Sequence, residues 1–352
     1  METTSNKPPS YRTRADLLSV VVPAYNEQEV LPEFHRRLSS VAEDAHFEVE
    51  VVYVDDGSSD RTAEILANLA SADSRVSVVV LSRNFGKEIA LTAGLDHANG
   101  DAIVVIDADL QDPPELIPTL FANFKDGYDV VYAQRTHREG ESWLKKWTAS
   151  KFYQVMQRTG GVHIPKDTGD FRLMSRRAVD SLLKLRERHR FMKGLFAWIG
   201  YPQIAVPYAR DSRYAGETKW NYWRLWNFAL EGITSFTLAP LKLATYIGLL
   251  TAAGAFCYGL VIILKTLAFG RDLPGYPSLM VVILFLGGIQ LIGLGVIGEY
   301  LGRTFDEVKQ RPLYLVHMFR PARGVHRQTP DTSASATSVA GPLMLDLPRR
   351  RD

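Results

Sequence analysis

A single cysteine in 352 residues excludes a disulfide framework and any cysteine-built zinc site. The chain also lacks a surplus of either charge. Its 41 Lys and Arg against 39 Asp and Glu leave a net charge of +2. Phosphate-backbone binders need a large basic excess, so nucleic acid is not an expected partner. Residues 1–16 contain no apolar run, so no secretory signal is expected there and the N-terminal region should stay where it is made. Hydrophobic residues at 46% and charged residues at 23% exclude a mostly disordered chain, and the length suits about two domains.

From Leu17 onward short apolar runs alternate with amphipathic segments. LLSVVVPAY, FEVEVVYVD, VSVVVLS and AIVVID are rich in Val and Ile and nearly continuous in hydrophobicity, the pattern of strands buried on both faces of a mostly parallel sheet. Between them, residues 28–42, 60–72 and 87–98 carry helical periodicity, with Asp60 as the expected N-cap of the second and Gly100 as the stop after the third. This alternation predicts an α/β domain with ligands at the carboxyl ends of its strands.

The C-terminal third differs. Residues 243–264 contain no charge, and residues 276–297 hold only Gln290 as a strongly polar member. Each run is about long enough to cross a ~30 Å hydrocarbon layer as a helix, so the pair is expected to form a membrane hairpin. Arg303, Lys309, Arg311, Arg320 and Arg323 follow the second run, against Lys265, Arg271 and Asp272 in the connector. That bias predicts a plasma (inner) membrane protein whose catalytic domain and both termini are cytoplasmic. Trp220, Tyr222, Trp223, Trp226 and Phe228 crowd the segment ahead of the first run, and residues 142–158 have an amphipathic pattern; both are expected to lie at the membrane interface.

Chemistry concentrates at three strand ends. Asp107-Ala108-Asp109-Leu110-Gln111 ends AIVVID, and two carboxylates one residue apart can point at one spot above the sheet edge. Hard oxygen ligands suit Mg²⁺ or Mn²⁺, and Mg²⁺ commonly binds one or two carboxylates together with substrate phosphates. Asp55-Asp56-Gly57-Ser58 and Pro23-Ala24-Tyr25-Asn26-Glu27 end two neighbouring strands. None of these ends carries a glycine-rich phosphate loop, which disfavours a P-loop ATPase or a nicotinamide dehydrogenase.

PAYNE, VDDGSSDRT, LSRNFGKEIALTAGLDHANGD, DADLQDPPE, TGDFRLMSR and RYAGETKWNYWRL occur in this order. Their ensemble, over roughly residues 18–316, resembles family 2 glycosyltransferases of the polyprenyl-phosphate branch, and GEYLGRTFDEVKQRPLYLV resembles the bacterial glucosyltransferase subgroup. The resemblance implies a GT-A fold and inverting transfer of a hexose, glucose from UDP-glucose first, to undecaprenyl phosphate. GDP-mannose, UDP-aminoarabinose and UDP-N-acetylhexosamines stay open as donors. It further implies that Pro23, Tyr25, Glu27, Asp55, Asp56, Asp107 and Ala108 line the nucleotide-sugar pocket, and that Asp107, Asp109 and Gln111 hold Mg²⁺ or Mn²⁺. Asp170 would sit near the transferred sugar with Arg172 beside it, and Asp109 and Arg135 would share in catalysis. Cationic clamps for the lipid phosphate are expected from Arg135, Arg213 and Lys219, with Lys146 and Ser150, four apart on one helical face. Thr218 and Trp220 stand where the family often has Ser and Tyr, which are mild changes.

The resulting expectation is a catalytic domain over 17–219, an interfacial region over 220–242, spans at 243–264 and 276–297, a cytoplasmic segment over 303–328 and disordered ends at 1–16 and 329–352. Glycines at 287, 288, 293, 295 and 298 permit close helix packing and point to a homo-oligomer. Two other readings compete. A processive polysaccharide synthase would carry Gln-x-x-Arg-Trp, which does not occur here, and more spans. A catalytically dead membrane scaffold would have no need of both acidic residues of the Asp107–Asp109 pair.

Overall fold

The computed structural model describes residues 17–44, 47–136, 165, 168–209, 234, 237–269 and 275–324. The two segments expected at the membrane interface, 142–158 and 220–228, and both terminal segments lie outside these residues.

The apolar runs form β1 (Leu17–Ala24), β2 (Glu48–Asp55), β3 (Val76–Leu81) and β4 (Ala102–Val105). They are followed by β5 (Val130–Arg135), β6 (Thr168–Ser175), β7 (Gln203–Tyr208) and β8 (Val316–Arg320). One eight-stranded sheet results, ordered β7-β5-β6-β4-β1-β2-β3-β8. The β4-β1-β2-β3 core and the β5–β7 pair are parallel, whereas β6 runs antiparallel to β4 and β5, and β8 antiparallel to β3.

Both faces are covered, which is why the strands read as unbroken apolar runs. On β1, Val20 and Val22 join one core with Phe34, Leu38, Leu66, Phe121 and Phe124. Val21, pointing the other way, joins a second core with Leu91, Leu95, Leu182, Leu195 and Phe196. The first layer comes from α1 (Leu31–Glu43), α2 (Thr62–Ala72) and α4 (Ile117–Lys125). The second comes from α3 (Lys87–His97), α5 (Arg176–Leu183) and α6 (Met192–Trp198). Pro32 delays α1 to Leu31, three residues after the expected start. The helix after Asp60 starts at Thr62, whose N–H donates to Asp60 Oδ1 at 3.0 Å. α3 ends at His97, and Gly100 falls in the following turn with its N–H on Ser19 Oγ.

Glu50, on β2 and only 1% exposed, ties the amino ends of the central strands together. Its carboxylate accepts from Ser19 Oγ at 2.5 Å and from the Asn99 backbone and side-chain amides, both at 2.9 Å. Replacing Glu50 with Ala orphans these donors at once. An unpartnered buried polar group costs roughly 1–3 kcal/mol, so we expect a loss of about 3 kcal/mol in urea unfolding. Nucleotide affinity, read at the opposite strand ends, should stay as in the parent.

Two long apolar helices follow, α7 (Ala239–Phe269) and α8 (Tyr276–Val308). At about 1.5 Å per residue each exceeds a ~30 Å hydrocarbon layer, and their Leu, Ile and Phe side chains are exposed along nearly their whole length. They pair as a hairpin fitted to a membrane, fastened at its base where Tyr300 Oη donates to the Thr237 carbonyl at 2.7 Å.

The chain then returns to the sheet. Glu307 accepts from the Arg188 backbone N–H at 2.7 Å, and Asp306 lies 3.3 Å from His189 Nε2. Tyr314 Oη donates to Asp96 at 2.7 Å, and β8 completes the sheet edge beside β3. The segment after the second span therefore belongs to the catalytic sheet, which the sequence reading did not anticipate.

Candidate functional site

The carboxyl ends of β1, β2 and β4 open into one cleft of about 620 Å³. Pro23, Ala24, Tyr25 and Glu27 line it from the end of β1, Asp56 from β2, and Asp107, Ala108 and Asp109 from β4. Arg135 enters from β5, and Gly169 with Asp170 from β6. Residues expected from separate motifs thus meet in one place. Strand order explains it: β6 lies next to β4, which carries Asp170 to the side of the acidic pair.

Local backbone shape sets the rim. Gly57 has φ +66°, and a Cβ there would fall 2.4 Å from the Arg83 carbonyl carbon. The Asp55–Ser58 turn therefore requires glycine on both conformational and steric grounds. Asp55, 1% exposed, accepts the Ser58 N–H at 3.0 Å, which places it behind the rim as a turn-former. Asp56 accepts the Phe85 and Gly86 N–H groups at 2.7 and 2.9 Å, fixing the start of α3 against β2. Burial pushes the Asp56 carboxyl up, and these two amides pull it partly back. Leu110 adopts φ +58°, a left-handed conformation that is costly for a branched side chain and concentrates at functional sites. Gln111 donates its backbone N–H to Asp109 Oδ1 at 3.2 Å and does not line the cleft.

Three cleft residues carry charge that no motif pointed to: Lys87 and Glu88 on α3, and Lys193 on α6. Lys87 Nζ bridges Asp107 Oδ2 at 2.7 Å and Asp170 Oδ2 at 2.6 Å. Burial alone would lower this ammonium, but the two carboxylates outweigh burial and hold it well above its ordinary range. Burial works against the Asp170 carboxylate too, yet Lys87 and Lys193 hold it below the usual range. Asp107 moves the other way, raised chiefly by burial. Burial, with Asp170 nearby, pushes Glu88 up to about 8, while burial lowers Lys193. Arg172, 5% exposed, donates to the Gly169 carbonyl at 2.8 Å and stacks 3.7 Å from the Phe196 ring centroid. It is a brace under Asp170 rather than a cleft group.

Arg135 passes beside Gly169, where a Cβ would come within 2.9 Å of its Nη2, so the glycine lets the guanidinium reach the cleft. Arg135 Nε donates to Tyr208 Oη at 3.4 Å, and Tyr208 in turn donates to Asp112. Lys146, Ser150, Arg213 and Lys219, expected at the acceptor phosphate, lie outside the described residues.

A cation fits this chemistry as half a site. Among the described residues no three His, Cys, Asp or Glu side chains form a closed metal cage. The acidic cleft nonetheless contains buried oxygens without a hydrogen-bond partner, Asp107 Oδ1 and Asp170 Oδ1. Mg²⁺-type ions often take one or two carboxylates and complete their shell with substrate phosphates and water, which matches an open carboxylate pair.

Comparison with known proteins agrees with this architecture. Residues 19–183 match the glycosyl transferase family 2 model, and residues 239–304 match the GtrB C-terminal hairpin. An uncharacterized glycosyltransferase of Synechocystis sp. is 54% identical over 85% of this chain and 94% of its own length. A prophage bactoprenol glucosyl transferase homolog of Escherichia coli is 50% identical over 85% of this chain and 98% of its own. The bactoprenol glucosyl transferase of Shigella phage SfII is also 50% identical, over 85% and 97%. With the acidic cleft on its mixed, mostly parallel sheet and the apolar hairpin behind it, the chain belongs to the family 2 glycosyltransferases that end in a GtrB-type hairpin.

Proposed function

We propose that the protein transfers glucose from UDP-glucose to undecaprenyl phosphate at the cytoplasmic face of the plasma membrane, with inversion at the sugar carbon. The observation that carries this reading is the meeting of Asp107, Asp109 and Asp170 in one cleft, on a chain half identical to bactoprenol glucosyl transferases along most of its length. The basic residues after α8, Arg303, Lys309, Arg311, Arg320 and Arg323, support a cytoplasmic catalytic domain. Six glycines of α8 have open space where a Cβ would stand, which supports helix packing against a second copy.

The reaction needs little proton chemistry. A phosphate monoester has its second pKa near 6, so the acceptor arrives largely as the dianion. One of its oxygens bonds the anomeric carbon as the bond from that carbon to the UDP oxygen breaks, and UDP leaves with the electron pair. Positioning and electrostatics do most of the work. Asp107 and Asp109 would hold a divalent ion, Mg²⁺ or Mn²⁺, which when bound supplies positive charge to the departing diphosphate. Tyr25 and Glu27 border the nucleotide, with Pro23, Ala108 and Asp56 shaping its pocket. Asp170 faces the sugar, and the Arg135 guanidinium suits a phosphate oxygen. The sequence resemblance adds Lys146, Ser150, Arg213 and Lys219 as residues for the acceptor phosphate.

The deciding experiment uses full-length protein in detergent with one polyprenyl phosphate and a panel of UDP-glucose, GDP-mannose, UDP-aminoarabinose and UDP-N-acetylglucosamine. UDP-glucose should give sugar-lipid, and UDP release should require the lipid phosphate. Preference for another donor overturns the glucose assignment. Sugar release without the lipid phosphate overturns the acceptor.

A further inference from the structure

We propose that Lys87 is a tethered stand-in for the divalent cation, which makes metal binding at Asp107 conditional on the nucleotide. This inference rests on the donor-site reading above and deepens it. Lys87 Nζ sits 2.7 Å from Asp107 Oδ2 and 2.6 Å from Asp170 Oδ2, one ammonium shared by two carboxylates from different strands. Both acids keep their second oxygen, Oδ1, buried without a hydrogen-bond partner. A purely structural ion pair is retained best when every lone pair is satisfied; this one is left half satisfied and lines an open cleft.

The lysine itself is built for withdrawal. Its side chain is 45% exposed, its stem is four flexible carbons, and its charge is a compact point that competes for the same oxygens as a metal ion. Its Cα, by contrast, is fixed in the first turn of α3, where Asp56 grips the Phe85 and Gly86 amides. The ammonium can therefore leave the carboxylates but cannot go far.

A free divalent ion entering beside Asp107 must displace that ammonium and then remain near it, so two like charges crowd the site and the ion binds weakly. A nucleotide diphosphate changes the balance by bringing negative charge for both cations. Nucleotide and metal then strengthen one another, and by linkage the coupling is reciprocal. Asp107 and Asp170 stay held together between turnovers without a bound metal.

The test is a titration of full-length protein in detergent with Mn²⁺, with and without saturating UDP, followed by the paramagnetic resonance of free Mn²⁺. We expect Lys87→Met to bind Mn²⁺ alone about tenfold more tightly than the parent. With UDP present the difference should shrink to within about threefold. Lys87→Arg, which keeps the cation, should behave as the parent. A merely structural role would loosen the cleft and weaken Mn²⁺ binding in Lys87→Met, the opposite sign. If Lys87→Met binds Mn²⁺ alone no more tightly, or gains equally with and without UDP, the proposal is wrong while the donor site stands. If no protein binds Mn²⁺ even with UDP, the donor-site reading fails and takes the proposal with it. Should Lys87→Met fail to fold, Lys87→Gln removes the charge, keeps a donor, and supports the same comparison.

Discussion

Asp109→Ala is expected to lower sugar transfer by about a thousandfold or more, with membrane insertion and the folded core unchanged. Asp109 lies in the turn after β4 and lines the cleft beside Asp107, and Leu110, at φ +58°, follows it. Under the proposed chemistry its carboxylate supplies half of the protein's grip on the divalent ion. Removing one group preorganised for charge that develops in the transition state typically costs roughly 10²–10³ in turnover, and loss of a cation ligand adds a binding defect. The apolar helices α7 and α8 make no use of this residue, so the variant should fractionate with membranes as the parent does. Sugar-lipid formation, followed by radiolabel from the donor, reads the effect. Near-normal turnover would remove Asp109 from the site.

Asp170→Asn should cost about a hundredfold in turnover while changing nucleotide affinity only a few-fold. The substitution keeps size and removes charge. Asp170 is 8% exposed, bound to Lys87 through one oxygen and with the other unpartnered, and held ionised by Lys87 and Lys193 against the cost of burial. A fixed negative charge facing the sugar stabilises the positive character that grows at the anomeric carbon as UDP departs. That benefit exists only in the transition state, so kcat should fall and KM for the donor should hardly move. Equal losses in kcat and donor affinity would place Asp170 among the nucleotide contacts instead.

The parallel half of the sheet was legible because burial on both faces writes itself into the sequence. Runs such as Val20-Val21-Val22 leave no polar alternation, and β1, β2, β3 and β4 fall within a residue or two of the expected segments. The apolar spans were equally plain, since uncharged runs of that length favour a membrane over a soluble core. β8 was not legible. Val316-His317-Met318-Phe319-Arg320 is five residues long and pairs on one edge only, so its apolar positions read as an ordinary segment beside a membrane. Its partner β3 lies more than 230 residues earlier, a pairing that no local pattern can express.

The site shows the same division. Carboxylates at strand ends stand out because acids are rare at the end of a buried run, so Asp56, Asp107 and Asp109 could be singled out. Asp170 was reached through the resemblance of TGDFRL. Lys87 lies inside LSRNFGKEIALTAGLDHANGD with nothing local to mark it out. A lysine in the first turn of a helix looks like any solvated charge until β6 brings Asp170 against Asp107 and leaves one ammonium to serve both. Glu88 and Lys193 stayed hidden for a similar reason, as they meet in the cleft only once α3 and α6 cover the same face of the sheet. Asp55 shows the converse: its residue type and position matched the site, yet it does not line the cleft, and one of its carboxylate oxygens accepts the Ser58 amide.

In the proposed mechanism a divalent cation held by the acidic pair lets a nucleotide-sugar and a lipid phosphate react at the membrane surface. Full-length protein stripped with EDTA should make no sugar-lipid from UDP-glucose and undecaprenyl phosphate, and adding Mn²⁺ or Mg²⁺ should restore synthesis to the starting rate. Undiminished synthesis after exhaustive chelation would contradict it.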